Sequence, residues 1–243
     1  MELRENERLD DLELNGLKII QNPDKYCFSS DAVLLANLVD VKNGDTVCDL
    51  GTGSGIIAIL LAAKTGAKRI DGLELQPDMA DMARRSAEYN NLGKRVKIIE
   101  GDICKAKEYL ERESYDIVVS NPPYKRADSG EKNEDIGVAM CRHEITVTLN
   151  EIVRTGSQLL RFGGKLNVIV KTERLAETVC LMKEHKIETK RIYLIKPKAE
   201  KQTDTVIVTG VKGGKSGVTV KELIVYNADG TMTEQAKKLY NKK

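Results

Sequence analysis

The tightest constraint on this chain is the run Asp49-Leu50-Gly51-Thr52-Gly53-Ser54-Gly55, set between two apolar stretches. Ahead of it, Asp45-Thr46-Val47-Cys48 leaves the turn Lys42-Asn43-Gly44 and has the length and β-branching of a buried strand. Beyond it, Ile56-Ile57-Ala58-Ile59-Leu60-Leu61-Ala62-Ala63 consists of helix formers with an apolar face that outlasts one turn. Three glycines therefore stand where a strand gives way to a helix. Glycine permits positive φ and places no Cβ between the backbone and a ligand resting on it. The free N–H groups of the first helical turn face such a ligand. The alternate spacing, with an acid just ahead, differs from the dinucleotide pattern G-x-G-x-x-G. A bare strand-to-helix turn would carry the same glycines, so support has to come from elsewhere in the chain.

Downstream strands supply it. Lys68 to Leu75 reads as a second strand ending in an acid, with Glu74 falling 23 positions after Gly51. In nucleotide-binding α/β folds a carboxylate about 20 residues on meets a ribose. Asp78 to Asn91 is helical, with Met79, Met82, Ala83 and Ala87 on one face. A third strand, Arg95 to Glu100, runs into Gly101-Asp102-Ile103, and a fourth, Tyr115 to Ser120, runs into Asn121-Pro122-Pro123-Tyr124. Strands alternating with helices predict a parallel sheet with right-handed crossovers, in which ligands collect at the carboxyl ends near the switch in strand order. Four successive strand ends here carry glycine or polar residues. The polar segment Lys125 to Cys141 then precedes a helix from about Leu149 to Leu160, and we expect that segment to be mobile without substrate. His143 reads as a helix-start residue bonded to the loop backbone. Strands follow at 166–170, 189–195, 205–211 and 221–226, with helices at 173–186 and 233–240. At the front, residues 1–20 suggest a short strand or hairpin, and Ser29, Ser30 or Asp31 can cap the helix that follows.

Composition narrows the function classes. At 243 residues and 41% hydrophobic, the chain can build one large α/β domain or two small ones, and no Pro/Gly/Ser-rich linker divides it. No run approaches the ~18–20 apolar residues of a membrane span. The charged start, Met1 to Arg8, lacks the apolar stretch of a secretory signal, so a cytoplasmic location is expected. Cys27, Cys48, Cys104, Cys141 and Cys180 are scattered without a C-x-x-C pair, which suits reduced thiols better than zinc or disulfides. With only His143 and His185 besides, no metal site is expected. The net charge of +2 hides an asymmetry: residues 183–243 hold 14 Lys/Arg against 7 Asp/Glu, leaving 25 against 30 for the rest. A basic final stretch suits a polyanionic partner, and equally a lysine-rich solvated surface.

The glycine run resembles the first motif of the class I S-adenosylmethionine-dependent methyltransferases, and Asn121-Pro122-Pro123-Tyr124 resembles the motif of those that methylate amino groups of adenine, guanine or protein glutamine. The chemistry suits the residues. An amine conjugated to a ring has a delocalised lone pair that barely attacks a sulfonium methyl. Two acceptors, the Asn121 side-chain oxygen and the Pro122 carbonyl, would draw it toward tetrahedral geometry through bonds that strengthen as the nitrogen becomes positive. The two prolines hold that carbonyl in place. Tyr124 offers a face for base stacking, worth ~1–3 kcal/mol per base, and a target inside a duplex would have to be flipped out.

Gln21, the stretch Phe28-Ser29-Ser30-Asp31-Ala32-Val33-Leu34-Leu35-Ala36, Arg142-His143-Glu144, Gly213-Gly214-Lys215 and the closing strand and helix narrow the resemblance to the bacterial tRNA(Val) adenine-37 N6-methyltransferase family, from about Leu17 to Tyr240. Met140-Cys141 departs slightly, since alanine is expected beside the arginine. The resemblance implies a Rossmann-like α/β fold with a seven-stranded mixed sheet and helices on both faces. It also implies an N-terminal element over 1–28, a catalytic domain over 29–212 and a basic extension of that domain over 213–243. By the same resemblance Asp49, Gly51 and Gly53 would line the methionine part of S-adenosylmethionine, Glu74 would hold the ribose hydroxyls and Asp102 with Ile103 the adenine. Tyr26 and Phe28 would close over the cofactor, and Asn121, Pro122 and Tyr124 would take the target base beside it. The expected reaction methylates N6 of an adenine in tRNA and releases S-adenosylhomocysteine, with a monomer as the working unit. A guanine N2 in rRNA, a protein glutamine, or an inactive RNA-binding protein of this fold are the alternatives.

Overall fold

The strand that leads into the glycines, β3 (Thr46–Leu50), buries Val47, Cys48, Asp49 and Leu50 outright. A strand with no exposed face lies inside a sheet covered on both sides, and the computed structural model, which describes residues 2–25, 27–122 and 147–240, places it there. In front stand the hairpin β1 (Arg8–Asp11) and β2 (Lys18–Gln21), then α1 (Ser30–Leu38). After β3 come α2 (Ile56–Lys64), β4 (Arg69–Glu74), α3 (Pro77–Tyr89), β5 (Val96–Glu100), a 3₁₀ segment (Ile103–Glu108) and β6 (Tyr115–Ser120). The second half holds α4 (Leu149–Leu159), β7 (Leu160–Lys171), α5 (Leu175–Glu184), β8 (Ile187–Lys196), β9 (Thr205–Lys212), β10 (Thr219–Ile224) and α6 (Glu234–Tyr240).

The main sheet runs β5-β4-β3-β6-β7-β9-β8-β10. β5 through β7 are parallel, β9 is antiparallel to both its neighbours, and β10 lies parallel to β8. Chain order reverses at β3: β4 and β5 extend to one side, β6 and β7 to the other. The crevice outside the carboxyl ends of β3 and β6 is therefore the switch point at which such sheets bind ligands.

Among the described residues the main sheet has eight strands and not seven. The eighth, β10, comes from the tail and pairs with β8 from Thr219 opposite Arg191 to Ile224 opposite Lys196. Without it β8 would present a ten-residue edge of unpaired backbone groups, the exposure that native sheets cover. The tail is also tied down beyond that strand, with Ala236 of α6 fully buried and Lys64 Nζ donating to the Leu239 carbonyl.

One helical layer is α1, α2, α3 and α6, sharing a core of Leu35, Ile59, Leu61, Ala83, Ile117 and Ala236 with the sheet. The other is α4, α5 and the 3₁₀ segment, around Leu50, Tyr115, Val153, Leu166 and Met182. The amphipathic face expected of α3 is observed, with Met79, Met82, Ala83 and Ala87 all buried and Pro77 starting the helix where its missing N–H costs nothing. α4 opens on a reciprocal cap: the Glu151 N–H donates to Thr148 Oγ1 (3.2 Å) and the Thr148 N–H to Glu151 Oε2 (2.7 Å). At α1 the expected cap is not made. Ser29 holds the capping position, but among the described residues its hydroxyl has no hydrogen-bond partner.

Candidate active site

The glycine loop leaves β3 in a left-handed backbone, with φ of +74° at Gly51, +58° at Gly53 and +88° at Gly55. At Gly55 space is decisive as well: an added Cβ would sit 3.0 Å from the Ala83 Cβ, so glycine is what lets α2 start against α3. The Gly51 and Thr52 N–H groups donate to the Leu73 carbonyl at 2.9 and 3.1 Å, stitching the loop to β4.

Two carboxylates lie under and beside the loop. Asp49 is completely buried; its Oδ2 accepts from Thr52 Oγ1 at 2.6 Å, and its Oδ1 has no hydrogen-bond partner among the described residues. Burial pushes its pKa up to about 7, the Thr52 hydroxyl offsetting part of this and the Glu74 charge adding to it. Glu74, at the end of β4, is 7% exposed. Its Oε2 accepts from the Gly53 N–H at 2.8 Å and its Oε1 from the Gln76 N–H at 2.9 Å. Burial raises its pKa too, against the pull of those backbone bonds. Each Glu74 oxygen keeps a lone pair that two adjacent hydroxyls could use.

One strand further along the edge, the Gly101 N–H donates to the Glu74 carbonyl (2.8 Å), which sets Asp102 beside Glu74. Asp102 is half-buried and caps the 3₁₀ segment, its Oδ1 accepting from the Cys104 N–H at 2.8 Å. Ile103 leans back over the loop: its Cδ1 is 3.8 Å from where a Gly51 side chain would begin. On the other side of β3, Ser120 Oγ donates to the Leu50 carbonyl at 2.9 Å. That bond ties the exit of β6 to the exit of β3, so half-buried Asn121 and buried Pro122 emerge next to the glycine loop.

The structure thus brings Asp49, Gly51, Gly53, Glu74, Asp102, Ile103, Asn121 and Pro122 to one crevice. Phe28 is partly buried against the α1–α2 core. Tyr26, Tyr124, the segment Lys125 to Cys141 and Arg142-His143-Glu144 lie outside the described residues. A buried carboxylate oxygen without a hydrogen-bond partner among the described residues, an acid with spare acceptor sites and a glycine loop with no Cβ in the way fit a ligand that combines a cationic group with a ribose, as S-adenosylmethionine does. Sequence reasoning missed Thr52, Ser54 and Ser120, hydroxyls that brace the site. The only local signal was Thr52 three positions after an acid.

The tail's positive charge does not form one patch at this crevice. Because β9 runs antiparallel, Lys212, Lys215, Lys186 and Lys190 fall at the opposite edge of the sheet, where Lys212 is paired with Glu113. Nearer the crevice, a groove of about 290 Å³ beside Ile103 is lined by Cys104, Lys107, Arg112, Arg154, Thr155 and Gln158, three cations and no acid. Among the described residues no helix is long and apolar enough to cross a membrane, and no cluster of His, Cys, Asp and Glu could hold a metal ion.

The model of the methyltransferase small domain family matches residues 27–193. A protein of Aeromonas hydrophila named tRNA1(Val) (adenine(37)-N6)-methyltransferase is 29% identical over 207 residues, 85% of each chain. A Flavobacterium johnsoniae protein of the same name is 29% identical over 81% of this chain and 83% of its own. Among solved structures, a predicted O-methyltransferase of Agrobacterium tumefaciens superposes with a TM-score of 0.72 at 25% identity, covering 87% of this chain and 96% of that one. A geranyl diphosphate methyltransferase in complex with SAM gives 0.55 at 13% identity over 75% and 84%, a likeness of fold alone.

Proposed function

This chain belongs to the methyltransferase small domain family, and from that premise we propose that it transfers a methyl group from S-adenosylmethionine to the exocyclic N6 amine of an adenine in tRNA, at position 37 of a tRNA(Val), acting as a cytoplasmic monomer. One observation carries the reading: the Ser120–Leu50 bond ties the exit of β6 to the exit of β3, beside the glycine loop, which supports Asn121-Pro122 as the amine acceptor pair facing the sulfonium methyl. The names of the full-length relatives favour adenine N6 in tRNA over the other amine targets.

S-adenosylmethionine supplies an electrophilic methyl on a positively charged sulfur. The roles proposed for the chain's own residues rest on their described surroundings and, for Tyr26 and Tyr124, on the resemblance alone. Glu74 takes the two ribose hydroxyls on its spare lone pairs while its backbone bonds hold it in place. Asp102 accepts from the adenine amino group, and Ile103 packs the ring against the loop. Asp49, through its unpartnered oxygen and its grip on Thr52, favours positive charge above Gly51 and Gly53. Phe28 and Tyr26 close the methionine side. Asn121 Oδ1 and the Pro122 carbonyl accept the two N–H bonds of the target amine. Those bonds tighten as the nitrogen gains positive charge, so they favour the transition state over the ground state. The product amine then loses its extra proton to solvent, and no strong base is required. Tyr124 stacks on the target base. The cationic groove beside Ile103 suits the RNA backbone, which a wholly apolar or acidic flank would repel.

Nucleoside mass spectrometry on tRNA from a strain lacking the gene tests this. Loss of N6-methyladenosine at position 37 of one tRNA, restored by the wild-type protein but not by Asn121→Ala, is the expected result. Unchanged tRNA, with label from the cofactor entering rRNA or a ribosomal protein instead, would move the assignment to guanine N2 or glutamine. No label in any fraction would leave an RNA-binding protein that has lost its activity.

A further inference from the structure

Gln21 is 1% exposed, and its amide is bonded at both ends. Nε2 donates to Ser54 Oγ in the glycine loop at 2.6 Å and to the Ile20 carbonyl at 3.2 Å, and Oε1 accepts from the Phe28 N–H at 3.0 Å. The backbone N–H of Phe28 can only donate, which fixes which end of the amide carries the oxygen. Ser54 is itself 3% exposed, so these bonds lie in a low-dielectric interior where a lost partner is expensive.

The amide is held from behind. The Ile20 N–H donates to Ser86 Oγ at 2.9 Å, and Asn90 exchanges two bonds with the Lys18 backbone at 3.0 and 2.6 Å, so β2 is fastened along α3. Ile20 packs with Met79, Met82 and Leu9 beneath it. The hairpin is therefore a rigid mount, and Gln21 is its tip. The two segments it joins are 33 and 7 residues away in sequence, and they are the opposite walls proposed for the cofactor cleft: the glycine loop and the approach to α1.

We propose that Gln21 is a positioning residue for S-adenosylmethionine, locking the Phe28 wall to the glycine loop so that the cleft is formed before the cofactor arrives. The inference rests on the cofactor reading above. An amide of this length meets the demand: one end accepts from the Phe28 N–H while the other donates to the Ile20 carbonyl and Ser54 Oγ, whereas a glutamate would set a buried charge against that carbonyl. Asparagine is one methylene short, and methionine fills the space but offers neither bond. A preformed cleft spares the cofactor the cost of ordering two loops, so losing the lock weakens binding more than it slows the chemical step.

The test is calorimetric titration of S-adenosylhomocysteine into the full chain, with steady-state kinetics on tRNA. For Gln21→Met the dissociation constant should rise about 10-fold, from losing the two bonds that join the walls, to Ser54 and from Phe28, while kcat at saturating cofactor stays within about threefold of wild type and KM for tRNA is unmoved. Ser54→Ala removes one arm and should weaken binding by roughly threefold. The double variant should be no worse than Gln21→Met, because the arm is already gone. Should Gln21→Met not fold, the Ser54→Ala result decides alone. Cofactor affinity within twofold of wild type in either folded variant, or equal losses in kcat and affinity, would overturn the positioning role. A wild-type protein that binds no cofactor would fail at the first titration, which overturns the cofactor reading and this inference with it.

Discussion

The carboxylates of this protein live in two different worlds. Around the hairpin and the rim of the sheet, Glu7, Asp40 and Asp78 each meet a cation: Arg85, Lys165 and Lys25 hydrogen-bond to them and hold their pKa values below the ordinary range. At the ends of β3 and β4, Asp49 and Glu74 are buried, neither forms an ion pair among the described residues, and burial pushes both upward. The first group is assembled for folding and surface order. The second is held in place by a hydroxyl and backbone N–H groups, donors that orient a carboxylate without neutralising it. Burying negative charge that way costs stability unless something positive arrives, which supports the binding roles proposed for Asp49 and Glu74.

Four expected outcomes would break or sharpen this contrast. Asn121→Ala should have the largest effect, cutting kcat by about 10²–10³-fold with cofactor affinity within twofold by calorimetry. Near wild-type turnover would remove Asn121 from the chemistry. Glu74→Ala should weaken cofactor binding by about 10- to 100-fold, since it removes charged acceptors and frees the Gly53 N–H. Unchanged affinity would contradict the ribose contact. Asp49 gives a pH signature. Its folded pKa of about 7 lies above the ordinary carboxylate value of 3.8, so its contribution to stability is present in acid and lost as pH rises through 7. A cationic ligand favours the ionised form, so cofactor affinity should climb from roughly pH 6 to 8. Asp49→Asn should flatten that climb and raise the melting temperature most at the alkaline end. An unaltered pH profile in the variant would reassign the titration. Glu113→Gln, which breaks the exposed pair with Lys212, should leave both melting temperature and turnover where they were. A clear loss there would mean that surface pairs matter more than the contrast allows.

Much of this could be read from the chain because it is local. The glycine loop, the acid ending β4 and the Asn121-Pro122 exit announce themselves within a few residues, and an alternating pattern then fixes which strand ends face the same way. What could not be read was set by distant partners. The tail strand was legible as a strand, but nothing in residues 219–224 says that they extend the sheet beside β8. The lysine count of the last sixty residues was plain, yet the antiparallel pairing of β9 with β8 puts Lys186, Lys190, Lys212 and Lys215 at the end of the sheet away from the crevice. Ser29 had the right residue type for a cap and makes no such bond. Gln21 stood out only as part of a resemblance, since its meaning depends on Ser54, a hydroxyl brought to it by the fold.

The most direct measurement is a crystal structure with S-adenosylmethionine and an adenosine-containing RNA fragment. The account predicts the cofactor laid along Gly51 to Gly55 with its ribose on Glu74, and the adenine N6 between Asn121 Oδ1 and the Pro122 carbonyl, facing the methyl group. A cofactor lodged away from the ends of β3 and β4, or Asn121 directed away from the adenine amine, would contradict it.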